Sequence, residues 1–209
     1  MVERLRDLAS DCGIDIALGS LPVASSTGKW VNRSYYFNSD HDQPKHYDKI
    51  HMFDVELATG EKWRESSAYD AGDRVVAVPA TPVGKLGLTV CYDLRFPALF
   101  DALGRLQCAA IAVPAAFTVP TGKAHWHTLL RARAIEASAF VIAAAQVGKH
   151  EDGRETYGHS LVVDPWGDVL LDMGGDEPGL GFCDIDLERI NEVRAQVPSL
   201  ANRREIPNC

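Results

Sequence analysis

Residues 86–100 read LGLTVCYDLRFPALF, and this stretch decides the fold. An apolar run, Leu86 to Val90, has strand character. It runs without a spacer into Cys91, and a helix starting at Pro97 follows. Proline suits the first helical turn, because the N–H it lacks has no helical partner there. A strand that feeds a helix through a tight turn is the unit of an α/β protein.

The unit recurs downstream. Ala109 to Val113 reads as a strand, Ala124 to Ala137 as a helix and Phe140 to Ala145 as a strand. Trp126, Leu129, Leu130 and Ala134 share a helical face, and Arg133 and Glu136 sit three apart on it. The last third reads differently. HSLVVDPWGDVLLD (159–172) predicts two strands joined by a Pro/Gly turn. A further strand is expected over 181–185, then a helix capped by Asp186 and carrying Leu187, Ile190, Val193 and Val197. Upstream, Val2, Leu5, Leu8, Ala9 and Cys12 predict a helix closed by Gly13. Strands are expected at 14–18 and 30–38, with another apolar segment at 75–78. Residues 39–47 read as a loop, and 48–73 as a long charged irregular segment of the kind that often carries function. Strand–helix–strand units mixed with hairpins predict a mixed α/β sheet.

Composition sets the limits. The chain has 209 residues, which fits a single domain spanning 1–209. A net charge of −8 argues against nucleic acid or an anionic membrane as partner. No apolar run approaches the length of a bilayer span, and the charged first residues lack a signal-peptide core. The five cysteines (12, 91, 108, 183, 209) are scattered and contain no CxxC pair, so neither a disulfide scaffold nor a thiolate zinc site is indicated. A reducing cytoplasm is the expected compartment.

Cys91 is the leading candidate for chemistry. It lies at the carboxyl end of a strand, where α/β sheets bind ligands. The helix that follows is expected to favour its thiolate. A buried structural cysteine is the alternative reading, and the other four cysteines fit it better. Lys49, in DKIHMFD (48–54), is the second candidate, as an amine able to stabilise an oxyanion. A plain surface lysine is the alternative. No dinucleotide or P-loop motif occurs. His125 and His127 are two apart on a helix and point to different faces, so they predict no metal pair. The loop histidines 41, 46 and 51 complete no site either.

Taken together, the segments YDKIHMFD (47–54), GEKWRES (60–66), VCYDLRFP (90–97), AAFTVPTGKAHW (115–126), LLRARAIE (129–136), VIAAAQVGKH (141–150), YGHSLVVDPWG (157–167) and Arg203–Arg204 resemble the nitrilase superfamily of carbon–nitrogen hydrolases. The similarity leans towards the branch of small amidases that includes deaminated-glutathione amidase and the ω-amidases. It implies a four-layer αββα sandwich. It also implies a thiol amidohydrolase that turns a small ω-amide into acid plus ammonia through a thioester, without cofactor or metal.

By motif, Cys91 is the implied nucleophile, Lys49 the lysine that stabilises the tetrahedral intermediate, and Glu65 the supporting carboxylate. The Tyr92 N–H completes the oxyanion hole. Arg95, Phe117, Thr121 and His125 fall in motifs that line the substrate pocket, and Asp93 has a structural role. The family carries its general-base Glu in a Pro-Glu motif ahead of the helix that matches residues 2–12. This sequence contains no Pro-Glu dipeptide, leaving Glu65 and Glu61 as the nearby carboxylates. The resemblance therefore also predicts one sheet short on its N-terminal side, an exposed strand edge and assembly as a homodimer or larger. A catalytically silent scaffold that binds acid-bearing metabolites is the alternative function.

Overall fold

The computed structural model describes residues 1–56, 60, 62–151 and 153–207. Glu61 and Cys209 lie outside them. In chain order the elements are α1 (Val2–Cys12), β1 (Ile16–Ala24), β2 (Trp30–Phe37), β3 (Lys45–Asp48), β4 (Asp54–Glu56), β5 (Lys62–Arg64), β6 (Tyr69–Asp70), β7 (Val76–Val78) and β8 (Leu86–Leu88). There follow α2 (Pro97–Arg105), β9 (Ala110–Ala112), α3 (Val119–Ala137), β10 (Phe140–Ala143), β11 (Val147–Lys149), β12 (Glu155–Tyr157), β13 (Leu161–Val163), β14 (Val169–Asp172) and α4 (Glu188–Gln196).

Among the described residues two sheets form the body. One is ordered β1-β2-β3 with β6 also on β2, and the other β14-β13-β10-β9-β8-β7. Side-chain alternation on the strands separates three apolar layers. Tyr35 and Phe37 of β2 pack with Ala9 and Leu5 of α1. Tyr36, one residue between them, points the other way. It joins Tyr47, Leu86, Leu88, Ala110 and Phe140 between the sheets. Ile111 and Val141 face outward onto Phe100, Leu103, Trp126 and Leu130 of α2 and α3. The layer order is therefore helix, sheet, sheet, helix pair: the expected αββα sandwich.

Several local expectations change. β1 runs on to Ala24, past the predicted end at 18. Its Pro22 is tolerated because β1 is the outer strand of its sheet, where an N–H is not needed on the open side. Residues 45–48 form a strand rather than a loop, since β3 pairs with β2 and buries Tyr47 completely. The segment 48–73 holds three short strands and a 3-10 turn, not an irregular loop. The expected strand at 181–185 has no ladder partner among the described residues, and Phe182 is 83% exposed. α3 starts five residues early, at Val119, with Pro120 in its first turn. The last helix starts at Glu188 with Leu187, not Asp186, at its N-cap; Asp186, one residue earlier, holds the entry turn, its Oδ1 accepting the Glu188 N–H at 3.0 Å.

Candidate active site

The turn after β8 is held by Asp93. Val90 is extended, and Cys91 to Arg95 form a 3-10 turn. The fully buried Asp93 carboxyl accepts the Val90 N–H at 2.9 Å, the Tyr47 hydroxyl at 2.7 Å, the His51 N–H at 3.1 Å and the His51 ring at 2.7 Å. Four donors from three residues, Val90 on one segment and Tyr47 and His51 on another, thus fix one elbow. His51 also stacks on Phe96, with centroids 3.6 Å apart. On the other side, buried Arg133 donates to the Leu94 carbonyl at 2.9 Å. Arg133 was visible in the sequence only as a partner of Glu136. That contact exists, at 2.8 Å, but the elbow contact is the buried one.

Cys91 sits at the tip with φ +50°, in the left-handed region that costs a non-glycine residue energy. Its N–H donates to the Pro114 carbonyl at 2.9 Å. Among the described residues, no acceptor engages the Tyr92 N–H beside it.

Lys49 is 3% exposed. Its backbone is anchored on both sides, its N–H to Asn32 O at 2.9 Å and its carbonyl to the Gly72 N–H at 2.8 Å. Gly72 permits this approach: a Cβ there would lie 2.1 Å from the Asp48 carbonyl oxygen. The Lys49 ammonium donates to Glu65 Oε2 at 2.5 Å. The same oxygen accepts the Phe53 N–H at 2.6 Å, and Asn32 Nδ2 donates to Oε1 at 3.2 Å. A buried ammonium is thereby paired and its partner carboxylate satisfied, as burial requires.

Cys91, Lys49 and Glu65 line one cavity of about 770 Å³. It opens beyond the carboxyl ends of β8, β9 and β10, the position expected of an α/β ligand site. Tyr92, Arg95, Phe117 and Thr121 line it too. His125 does not. It is exposed on α3, and its Nδ1 lies 3.2 Å from Arg95 Nη1, behind the wall. The Arg95 guanidinium lies 5.2 Å from the Phe117 ring centroid and 5.9 Å from that of Tyr92. Asn32, Phe53, Trp63, Gln146 and Ser160 line it as well; the last four fall in the family-like segments without being singled out there, and Asn32 falls outside them.

Electrostatics at Cys91 run against the sequence expectation. Burial pushes the thiol up, and the charges of Glu65 and Asp93 add to this. The Lys49 charge and a hydrogen bond with the Ala116 backbone pull it down without prevailing. Desolvation of the thiolate outweighs the short turn behind it. The three other described cysteines lie away from the cavity. Cys108 is fully buried with its pKa pushed up to about 11, Cys12 is exposed on α1, and Cys183 lies on the extended 181–185 segment. His127 meets His159 and Asp172 rather than His125.

Fold and cavity together define a nitrilase-type α/β sandwich. The family description "Carbon-nitrogen hydrolase" matches residues 1–195. A deaminated glutathione amidase from Synechocystis is 41% identical over 202 residues, covering 95% of this chain and 74% of its own. Nit3 of Saccharomyces cerevisiae, a member of branch 10 of the nitrilase superfamily, superposes with a TM-score of 0.82 at 31% identity, over 94% of this chain and 69% of that one. A mutant of the amidase from Nesterenkonia sp. AN1, carrying the acetamide moiety of fluoroacetamide on its active-site cysteine, gives a TM-score of 0.78 at 27% identity, over 97% and 69%. The chain belongs to the carbon–nitrogen hydrolase family. No helix among the described residues is long and apolar enough to cross a membrane.

Proposed function

We propose that the chain is a cysteine-dependent amidase acting on small ω-amides, with deaminated glutathione as the first substrate to test. The observation that carries the reading is the buried Lys49–Glu65 pair in one cavity with Cys91. In this reading Cys91 Sγ attacks the amide carbonyl and the C–S bond forms. The carbonyl oxygen takes up negative charge, met by the Lys49 ammonium and the Tyr92 N–H. The Lys49–Glu65 pair takes the thiol proton and returns it to the amine. The C–N bond breaks and ammonia leaves, with a thioester remaining. Water then attacks the thioester, releasing the acid and restoring the thiol.

Glu65 holds Lys49 in place, and Arg95 is suited to dock a substrate carboxylate. Phe117 and Thr121 form the wall, and His125 acts on Arg95 from outside. No metal or cofactor enters these steps. The reading includes a cytoplasmic setting that keeps Cys91 reduced, and an assembly of at least two chains. The open outer edge of β1 supports the assembly.

One observation favours a second reading, a binding scaffold without turnover. Both Glu65 oxygens already serve three donors, which makes the carboxylate a poor base. Ammonia release from deaminated glutathione and simpler ω-amides separates the two. The amidase reading expects turnover that Cys91→Ala abolishes. Equal release by both proteins sinks it, and ligand-induced thermal stabilisation without release supports the scaffold.

A further inference from the structure

Outside the cavity, three chain segments converge on one carboxylate. His127 comes from α3, His159 from the loop before β13, and Asp172 from the end of β14. The His127 Nε2 lies 3.0 Å from Asp172 Oδ2. The His159 Nδ1 lies 2.9 Å from Oδ1 and 3.1 Å from Oδ2. The ligand atoms of all three residues fall within 4.8 Å of one another. A tetrahedral zinc ion with bonds of about 2.0–2.2 Å sets its ligands roughly 3.3–3.6 Å apart, so small side-chain rotations bring this trio into range.

The ligands are held in advance. The His159 N–H donates to the Gly174 carbonyl at 2.7 Å, and its own carbonyl accepts the Trp126 indole N–H at 2.8 Å. Its ring stacks on Tyr157 at 4.3 Å and meets His127 edge-on at 4.9 Å. One end of the group is wet: the side chains are 34%, 24% and 33% exposed for His127, His159 and Asp172. Water or an external donor therefore has access to a fourth position. None of the three lines the cavity around Cys91.

We propose that His127, His159 and Asp172 form a binding site for a divalent transition cation of the zinc class. Two imidazoles and one carboxylate match the preference of Zn²⁺ and its first-row neighbours, and not the all-oxygen shells of Mg²⁺ or Ca²⁺. The neighbouring Ser160 does line the Cys91 cavity, and its Oγ accepts the Ala145 N–H at 2.9 Å. A cation here clamps the loop that forms that wall.

The test is direct binding to the metal-free protein. Zn²⁺ is titrated calorimetrically and Co²⁺ by its visible absorption, in a Cys91→Ser background that removes the cavity thiol. One ion per chain is expected, with a tetrahedral Co²⁺ spectrum. His127→Gln and Asp172→Asn should each weaken binding at least about tenfold, while His41→Ala, at the exposed His41–Asp7 pair, changes nothing. His127 is a part-exposed helix position, so its variant keeps the test valid if Asp172→Asn fails to fold. Zn²⁺ binding unchanged in His127→Gln overturns the proposal. So does wild-type protein that binds no Zn²⁺ at submillimolar concentration, the trio then being only a hydrogen-bonded staple between α3 and β14.

Discussion

Asp93→Ala should be among the most damaging single changes outside the apolar core. The carboxyl is completely buried and serves four donors. Two are backbone N–H groups, of Val90 and His51, which cannot turn away. An orphaned buried donor costs about 1–3 kcal/mol, so these two alone give roughly 2–6 kcal/mol. The Tyr47 hydroxyl is also fully buried and adds to the loss, while the part-exposed His51 ring finds water. Because a domain of this kind is stable by about 5–15 kcal/mol, the variant should lose a large fraction of its stability.

Asp93→Asn keeps the shape but turns an NH₂ towards some of the donors, and should lose about half as much by the same accounting. Urea unfolding followed by circular dichroism and by tryptophan fluorescence measures both variants and checks that the transitions coincide. A loss below about 1 kcal/mol for Asp93→Ala would refute the claim that this carboxyl fixes the elbow.

Three further outcomes are expected. Gly72→Ala forces a Cβ against the Asp48 carbonyl, so it should destabilise by about 1–3 kcal/mol and lower turnover by moving Lys49, read by urea unfolding and steady-state kinetics. Since burial raises the Cys91 pKa, alkylation of Cys91 by iodoacetamide, followed by peptide mapping, should keep accelerating above the ordinary thiol range near pH 8.5. Lys49→Met removes the favourable charge and should slow that alkylation wherever the thiol is only partly ionised, and a plateau below pH 7 in the wild type would contradict the balance. Arg95→Ala should raise KM for a carboxylate-bearing amide by about 10–100-fold, the worth of a charged hydrogen bond, and leave an uncharged amide nearly unaffected.

The parts of the fold legible in the sequence are those where one local signal dominates. LGLTV followed by a turn and Pro97 gave both strand and helix start, because burial on both faces leaves an unbroken apolar run. KHYD gave no strand, because only Tyr47 turns inward and the pairing with β2 that makes it a strand is non-local. Residues 181–185 have strand composition, but among the described residues no neighbouring strand pairs with them. Within the site, Cys91 and Lys49 stood out by position and motif. Asn32 and Arg133 did not, since one lies among ordinary strand residues and the other had a plausible surface partner in Glu136. The thiol's poise is not legible in the sequence, because the flanking turn is visible there and the desolvation is not.

The proposed amidase reaction requires a covalent acyl intermediate on Cys91. Rapid acid quenching of the protein with an ω-amide, followed by intact-mass and peptide mass spectrometry, tests it most directly. The acyl mass is expected on the peptide bearing Cys91, present in wild type, diminished in Lys49→Met and absent in Cys91→Ala. Ammonia release with no adduct on Cys91, undiminished in Cys91→Ala, would contradict it.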